Sequence, residues 1–303
     1  MIRDSLCSKD YWDKWVAWAD NAISDRLKQI EDPSGDPDYL PKYILGISQH
    51  NWEQIIRRYS RGDPIEGLAV YFGPMLDAWE DAERLGADVW TAEQIRIRRT
   101  WAINFDTYHY CFWLISLALL LDIPKEQWQR LVALVGNEGE DILLDRLIAS
   151  RSPNRKIGTS LCFPKPYARL LAAIEAPADK QAKLLKEFVV HWYKELGQMP
   201  KHARVPQQIP HKTLGWYTFA DYNLDGGAYF GQWCLEAAAA AKVFGLDDRL
   251  CLGHRHYPGD FLRPNGPTTH PVRPDVLPAT DAVQEAPPPE KPVGWLARLL
   301  GRR

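Results

Sequence analysis

Five alanines in a row, Ala237 to Ala241, constrain the fold of this sequence more than any other feature. Alanine has the highest helix propensity of the amino acids, and its small side chain lets neighbouring backbones approach closely. The pattern predicts a helix over 232–244 that packs at the centre of the protein on several faces. Gly245 follows it, and glycine often ends a helix in the left-handed conformation.

Glu236 is the member of this stretch that packing alone does not explain. A carboxylate among apolar side chains costs free energy unless it is paired or hydrogen-bonded. The simpler interpretation is that an arginine or backbone N–H groups satisfy it and that it fixes the core. The alternative is a general base or metal ligand, and a helical hydrolase using Glu236 with His254 or His256 is then the rival function. A Glu236→Gln variant separates them, because a structural role predicts lost stability and catalysis predicts lost activity alone.

Helical patterning continues through most of the chain. Apolar residues recur at spacings of three and four over 8–31, 41–61, 63–83, 91–121, 124–135, 141–149, 164–174 and 178–196. No convincing alternating strand pattern is present. The sequence therefore predicts an all-α fold of about nine to ten helices, with an N-terminal helical bundle over 1–88 packed on a larger C-terminal helical domain over 91–263. A proline-rich tail over 264–303 ends in a short basic amphipathic segment.

Three local signals refine this pattern. The dipeptide Asp63-Pro64 is typical of a helix start and predicts the beginning of the third helix. Gly73-Pro74 is expected to kink that helix. Thr91 and Gln94 fit a capping box, which predicts the start of a single long apolar helix that ends at Leu121.

The sequence lacks the motifs that several classes of function require. The five cysteines have no CxxC or zinc spacing, which predicts reduced thiols in a cytoplasmic protein. No signal peptide is visible, and no apolar run reaches the roughly 20 residues that a membrane span needs. No P-loop, GxGxxG or GxSxG motif is present. The histidines in His254-Arg-His256 do not share a helix face, so we predict no metal or other cofactor. The basic loop 151–158 lacks interleaved aromatic residues, which argues against direct nucleic-acid binding.

Charge is distributed unevenly along the chain. Residues 1–93 contain 18 acidic and 10 basic residues, whereas the remainder contains 21 and 27. Four carboxylates, named here the acidic cluster, concentrate at the end of the third predicted helix: Asp77, Glu80, Asp81 and Glu83. A solvated surface is the simpler interpretation of this cluster. The alternative is a docking face for a basic partner, because opposite potentials steer association.

Three segments in the last quarter of the chain together resemble a known family. Residues 231–239 (GQWCLEAAA), 245–248 (GLDD) and 256–260 (HYPGD) are similar to the C-terminal signature of the PoNi immunity proteins. Gln232 and His256 depart from it, since the family pattern has aromatic residues there. The resemblance extends more weakly to the first third of the chain. Its signature residues, which we expect to be structural, are Tyr229, Gly231, Trp233, Glu236, Asp247, Asp248, Tyr257 and Pro258.

The resemblance implies inhibition by binding and no enzymatic reaction. PoNi proteins are antitoxins paired with polymorphic nuclease toxins of bacterial type VI secretion systems, so the expected partner is a cognate toxin, by resemblance a DNase. A nuclease presents a basic face to DNA, and clustered carboxylates can occupy that face. We therefore predict that the acidic cluster contributes toxin contacts. A helical adaptor whose tail recruits a partner is a further alternative, and self-association is left open.

Overall fold

Residues 2–30, 36–198, 214–222 and 224–271 are described in the computed structural model. In this part of the chain, helices α1 to α11 span Lys9–Ile30, Leu40–Arg61, Phe72–Val89, Ala92–Arg99, Phe105–Leu120, Lys125–Val135, Ile142–Ala149, Pro164–Glu175, Ala178–Leu196, Phe219–Tyr222 and Leu235–Phe244. Short 3-10 helices cover Ile65–Tyr71, Trp101–Ile103, Arg249–Cys251 and Gly259–Leu262. These described ranges contain no strand, so the predicted all-α fold is confirmed. The predicted tail beyond residue 271 lies outside them.

The first three helices form one packed layer. Helix α2 lies between α1 and α3 and packs against both. A small apolar cluster joins α2 to α3 through Ile44, Ile47, Ala78 and Ala82. The apolar stripes at spacings of three and four thus face one another, as expected for amphipathic helices that bury one side.

Helices α5 and α11 form the centre of the molecule. Thirteen of the sixteen residues of α5 are buried, and α11 packs directly against it. Ala237 to Ala241 are at most 3% exposed, which confirms the predicted central alanine helix. Its C-terminus is Gly245, which adopts the expected left-handed conformation at φ 66°. Helices α8 and α9 pack as a pair beside this centre.

The single helix predicted from Thr91 to Leu121 is wrong, because the chain breaks after Arg99. Thr91 and Gln94 do form the predicted capping box, but it opens only the short helix α4. Asn104 then caps α5, since its side-chain oxygen accepts hydrogen bonds from the backbone N–H groups of Asp106 and Thr107. Such a cap starts a new helix and lets the segment before it turn into the core.

The predicted third helix also begins differently. A 3-10 helix follows Pro64, and the α-helix α3 starts only at Phe72. Asp63 makes no capping hydrogen bond and instead accepts one from Arg61 Nε at 2.7 Å. Gly73-Pro74 lies in the first turn of α3, where the missing proline N–H costs little, so the predicted kink is replaced by the 3-10 junction.

Contacts between the two ends of the described chain hold the fold together. Arg3 Nε donates to Asp260 Oδ2 at 2.7 Å, and Arg3 Nη1 donates to the carbonyl oxygens of Tyr59 and Asp63. The described residues belong to one compact unit. The division expected between residues 88 and 91 stays a prediction.

Candidate functional site

Gly231 and Trp233 fasten the C-terminal signature to the end of α2. The Trp233 indole donates to Ser60 Oγ at 2.8 Å, and Ser60 Oγ donates to the carbonyl oxygen of Phe230 at 3.1 Å. Gly231 has φ 118°, and a Cβ there would come within 2.5 Å of Ser60 Oγ. This extended turn explains why α11 begins at Leu235 and not at the predicted residue 232.

Most of the other signature residues form hydrogen bonds or ion pairs within the protein. Tyr229 donates through its hydroxyl to Asp4 at 2.5 Å, and Tyr257 donates to Asp248 at 2.8 Å. Asp248 also accepts from Arg263 at 2.8 Å. Asp247 pairs with Arg249 on the surface, and Pro258 is buried. The scaffold role expected of the signature residues stays a prediction.

Glu236 is fully buried, and its side-chain partners in the described ranges do not include the predicted arginine. Its Oε1 accepts hydrogen bonds from the Tyr167 hydroxyl at 3.2 Å and the Trp192 indole at 3.3 Å, and His109 Nδ1 lies 3.6 Å away. No arginine forms a salt bridge with it in the described part of the chain. His256 instead bonds through Nδ1 to the carbonyl oxygen of Gln232. Burial raises the pKa of Glu236 to about 7 and lowers the pKa of His109 to about 3.

The Glu236→Gln variant is expected to gain stability relative to the wild type as pH rises. The folded pKa of about 7 lies above the usual 4.5, so wild-type stability from this group is complete below 4.5 and is lost through pH 7. The difference between the two proteins should therefore change by about 3 kcal/mol over that window. Urea unfolding of both proteins at several pH values measures this change. Subtracting the two free energies of unfolding at each pH cancels the contribution of the buried histidines, which both proteins share. An unchanged difference contradicts the raised pKa, and Glu126→Gln is the exposed control.

The acidic cluster is largely paired with arginines. Arg130 bridges Asp77 and Glu80 at 2.6 and 2.7 Å, Arg84 pairs with Asp81, and Arg99 pairs with Glu83. Three guanidinium groups therefore face four carboxylates, and the cluster retains little net charge. Sequence reasoning gave no sign of this, because Arg99 and Arg130 reach the cluster from α4 and α6.

A pocket of about 400 Å³ opens beside the central helix. Two helices contribute one face each: Leu45, Gln49, Trp52 and Glu53 lie on α2, and Asp106, Thr107, His109, Tyr110 and Trp113 lie on α5. The segment 214–219 and Phe230 complete the wall. The residues from α2 and α5 recur at spacings of three and four, which is the sequence signal that such a face leaves. Sequence reasoning did not identify this pocket.

The structure also places the cysteines, the potential metal ligands and the basic loop. All five cysteines have free thiols, and no group of three or more potential ligands could hold a metal ion in this part of the chain. Arg155 of the basic loop is buried and pairs with Asp145. None of the helices in the described ranges has the length and apolar character to cross a bilayer.

Two family models match successive parts of the sequence. The model for the PoNe immunity protein (PoNi), N-terminal, matches residues 3–133, and the model for PoNe immunity proteins (PoNi), C-terminal, matches residues 139–261. The chain belongs to the PoNi immunity protein family. The two PoNi matches meet at the end of α6, and between them they include all of the signature residues.

Comparison with solved structures supports the fold. The crystal structure of protein PA2201 from Pseudomonas aeruginosa is 20% identical in sequence, with a TM-score of 0.59, and the match covers 83% of this chain and 86% of that chain. At this identity, the likeness shows a shared fold alone. A comparison with curated proteins finds no match. The PoNi assignment therefore rests on the two family models.

Proposed function

We propose that this chain is an immunity protein that binds a cognate antibacterial nuclease toxin and blocks its active site or its DNA-binding face. The single observation that carries the proposal is that the two PoNi models cover most of the chain. By the same reasoning we propose that the toxin is a DNase delivered by a type VI secretion system and that inhibition takes place in the cytoplasm.

A rigid scaffold supports inhibition by occlusion. The signature residues tie the N-terminal segment and α2 to the segment that leads into the central helix, which supports a surface that is ordered before a partner binds. Preorganised surfaces lose less conformational entropy on association, which favours tight binding. The helical hydrolase has no comparable support, because Glu236 is 0% exposed and neither His254 nor His256 is among its hydrogen-bond partners.

Co-expression in a susceptible bacterium tests the proposal. The toxin encoded by the neighbouring reading frame should stop growth when expressed alone, and this chain should restore growth. The purified proteins should form a complex on size-exclusion chromatography, and the nuclease should lose activity in that complex. Unrestored growth together with no complex would overturn the proposed function. Restored growth without a complex would instead favour an enzymatic or indirect mechanism.

Charge reversal tests the part that the acidic cluster plays. In the charge-reversal variant, lysine replaces all four carboxylates of the acidic cluster. We expect it to raise the Kd for the toxin about tenfold and to reduce the salt dependence of binding, because steering depends on opposite potentials. The effect is modest because the paired arginines already offset most of the charge. Isothermal titration with the inactive toxin domain measures it. The charge-matched control carries lysine at four exposed carboxylates elsewhere: Glu140, Glu175, Asp179 and Asp225. Equal affinity in both variants would place the interface away from the cluster.

A further inference from the structure

The pocket between α2 and α5 has walls made mainly of aromatic rings. Trp52 makes edge contacts with Tyr110, Trp113 and Phe230, at centroid distances of 5.6, 5.7 and 5.3 Å. Trp113 and Trp216 are 4.7 Å apart. The faces of such rings carry partial negative charge and attract cations, and guanidinium groups are the commonest partners in proteins.

The pocket also carries a carboxylate that forms no ion pair with another described residue. Among its described lining residues, Glu53 and Asp106 are the only carboxylic acids, and none is a lysine or an arginine. Glu53 is already satisfied, since it accepts from Gln49 Nε2 at 2.8 Å and pairs with Arg57 at 3.1 Å. Asp106 is different, because no side chain in the described ranges hydrogen-bonds to its carboxylate. The Asp106 side chain is exposed at the surface, but nearby protein atoms displace part of the water around its carboxylate. This desolvation raises the pKa of Asp106.

His109 adds an unsatisfied acceptor to the same wall. It is 2% exposed, and its Nε2 has no hydrogen-bond partner among the described residues. When Glu236 is ionised, the Tyr167 hydroxyl donates to that carboxylate, and its oxygen accepts the Nδ1–H of His109. The lone pair of this histidine then lies on Nε2. A neutral ring with a free lone pair suits an N–H donor and does not repel a cation.

Two exposed aromatic side chains contact residues in or next to the wall of the pocket. Trp18 is 46% exposed and contacts His50, which is adjacent in sequence to Gln49. Tyr222 is 68% exposed and contacts Phe219 of the pocket wall. Tryptophan and tyrosine are enriched at the energetic centres of protein interfaces. A pocket next to such residues suits one side chain projecting from a protein partner.

We propose that this pocket receives an arginine side chain of the toxin, with Asp106 pairing with the guanidinium group and the tryptophan-rich wall enclosing it. Arginine fits better than lysine, because its planar group stacks on aromatic rings and stays charged when water is removed. A nuclease offers such residues, since its DNA-binding face is basic. The inference rests on the proposed function and names the anchor point of that complex.

Substitution of Asp106 tests the proposal, and Asp179 provides a matched control. Each is an exposed aspartate at the second position of a helix, α5 and α9 respectively, so both lose the same interaction with the helix dipole. The probe is the inactive catalytic domain of the toxin encoded by the neighbouring reading frame. We expect Asp106→Lys to raise its Kd about 100-fold and Asp106→Asn about tenfold, with Asp179→Lys within about twofold. Melting temperatures confirm that each variant folds.

A double-mutant cycle identifies the partner residue. Each arginine of the toxin domain is replaced by alanine, and one replacement should lose affinity with the wild type but little further with Asp106→Asn. Wild-type affinity in both Asp106 variants would overturn the pocket proposal and leave the proposed function intact. Coupling to a lysine and to no arginine would also overturn it. Absence of both binding and protection by the wild-type chain would remove the proposed function and this inference with it.

Discussion

Asp145→Ala is expected to lower the free energy of unfolding by about 3–5 kcal/mol. Asp145 is 0% exposed, and its Oδ1 accepts from Arg155 Nε at 2.8 Å. Its Oδ2 accepts from the backbone N–H groups of Gly139, Asp141 and Gly158. Removing the carboxylate leaves the Arg155 charge buried without its partner and three backbone donors without an acceptor. Each of these groups then carries an uncompensated desolvation cost.

Urea denaturation of the purified variant measures this loss. The control is Asp81→Ala, which breaks an ion pair with Arg84 on the surface and should cost at most about 1 kcal/mol. Arg155→Ala and the double variant complete a cycle, and we expect a strong coupling energy between the two sites. If Asp145→Ala loses less free energy of unfolding than Asp81→Ala, the buried pair does not stabilise the loop before α8. Toxin binding measured at low temperature, where the variant remains folded, should be unchanged.

Gly231→Ala is expected to cost about 3 kcal/mol or more of stability, from backbone strain and steric overlap together. The backbone at φ 118° is one that side chains other than glycine rarely adopt. The new methyl group would also press on Ser60 Oγ at 2.5 Å and on the Trp233 indole nitrogen at 2.6 Å. Neither atom moves freely, because Trp233 donates to Ser60.

Gly245→Ala measures the cost of a positive φ without steric overlap. Gly245 also has a positive φ, at 66°, but nothing lies within 4 Å of its hypothetical Cβ. Its substitution should therefore cost only about 1–2 kcal/mol, as for one residue in the left-handed region. Thermal unfolding of both variants gives the comparison, and equal losses would contradict the role of close contact at Gly231. The Gly231 variant should also weaken toxin binding, because the adjacent Phe230 lines the pocket.

Local interactions explain which parts of the fold were predictable. The alanine helix, its stop at Gly245 and the capping box at Thr91 depend on residues within one or two turns of each other. The break between α4 and α5 depends only partly on such contacts: Asn104 caps α5 locally, but Asn137 reaches back from beyond α6 to donate to the carbonyl oxygen of Arg99 and accept from Trp101 N–H. A contact over that sequence distance leaves no periodic signal.

The candidate sites show the same limit. The sequence identified Glu236 as a buried carboxylate, but its partners Tyr167, Trp192 and His109 come from α8, α9 and α5, and the predicted arginine and histidines are not among them. The acidic cluster was visible as a run of carboxylates, whereas its neutralisation by Arg130 required the packing of α6 on α3. Asp106 carried no signal, because its setting is formed by separate segments.

The amino-acid sequence by itself determined the helical class, the position of the central helix, the signature residues and the family to which the chain belongs. Each follows from propensity, periodicity or residue identity, which are properties of short stretches. Only the tertiary structure decided which charges are neutralised, which carboxylate lies at an aromatic pocket without a side-chain partner in the described ranges, and where α4 ends. These outcomes depend on side chains brought together from distant parts of the chain, since burial and pairing set the energy of a charge and the residue type alone does not.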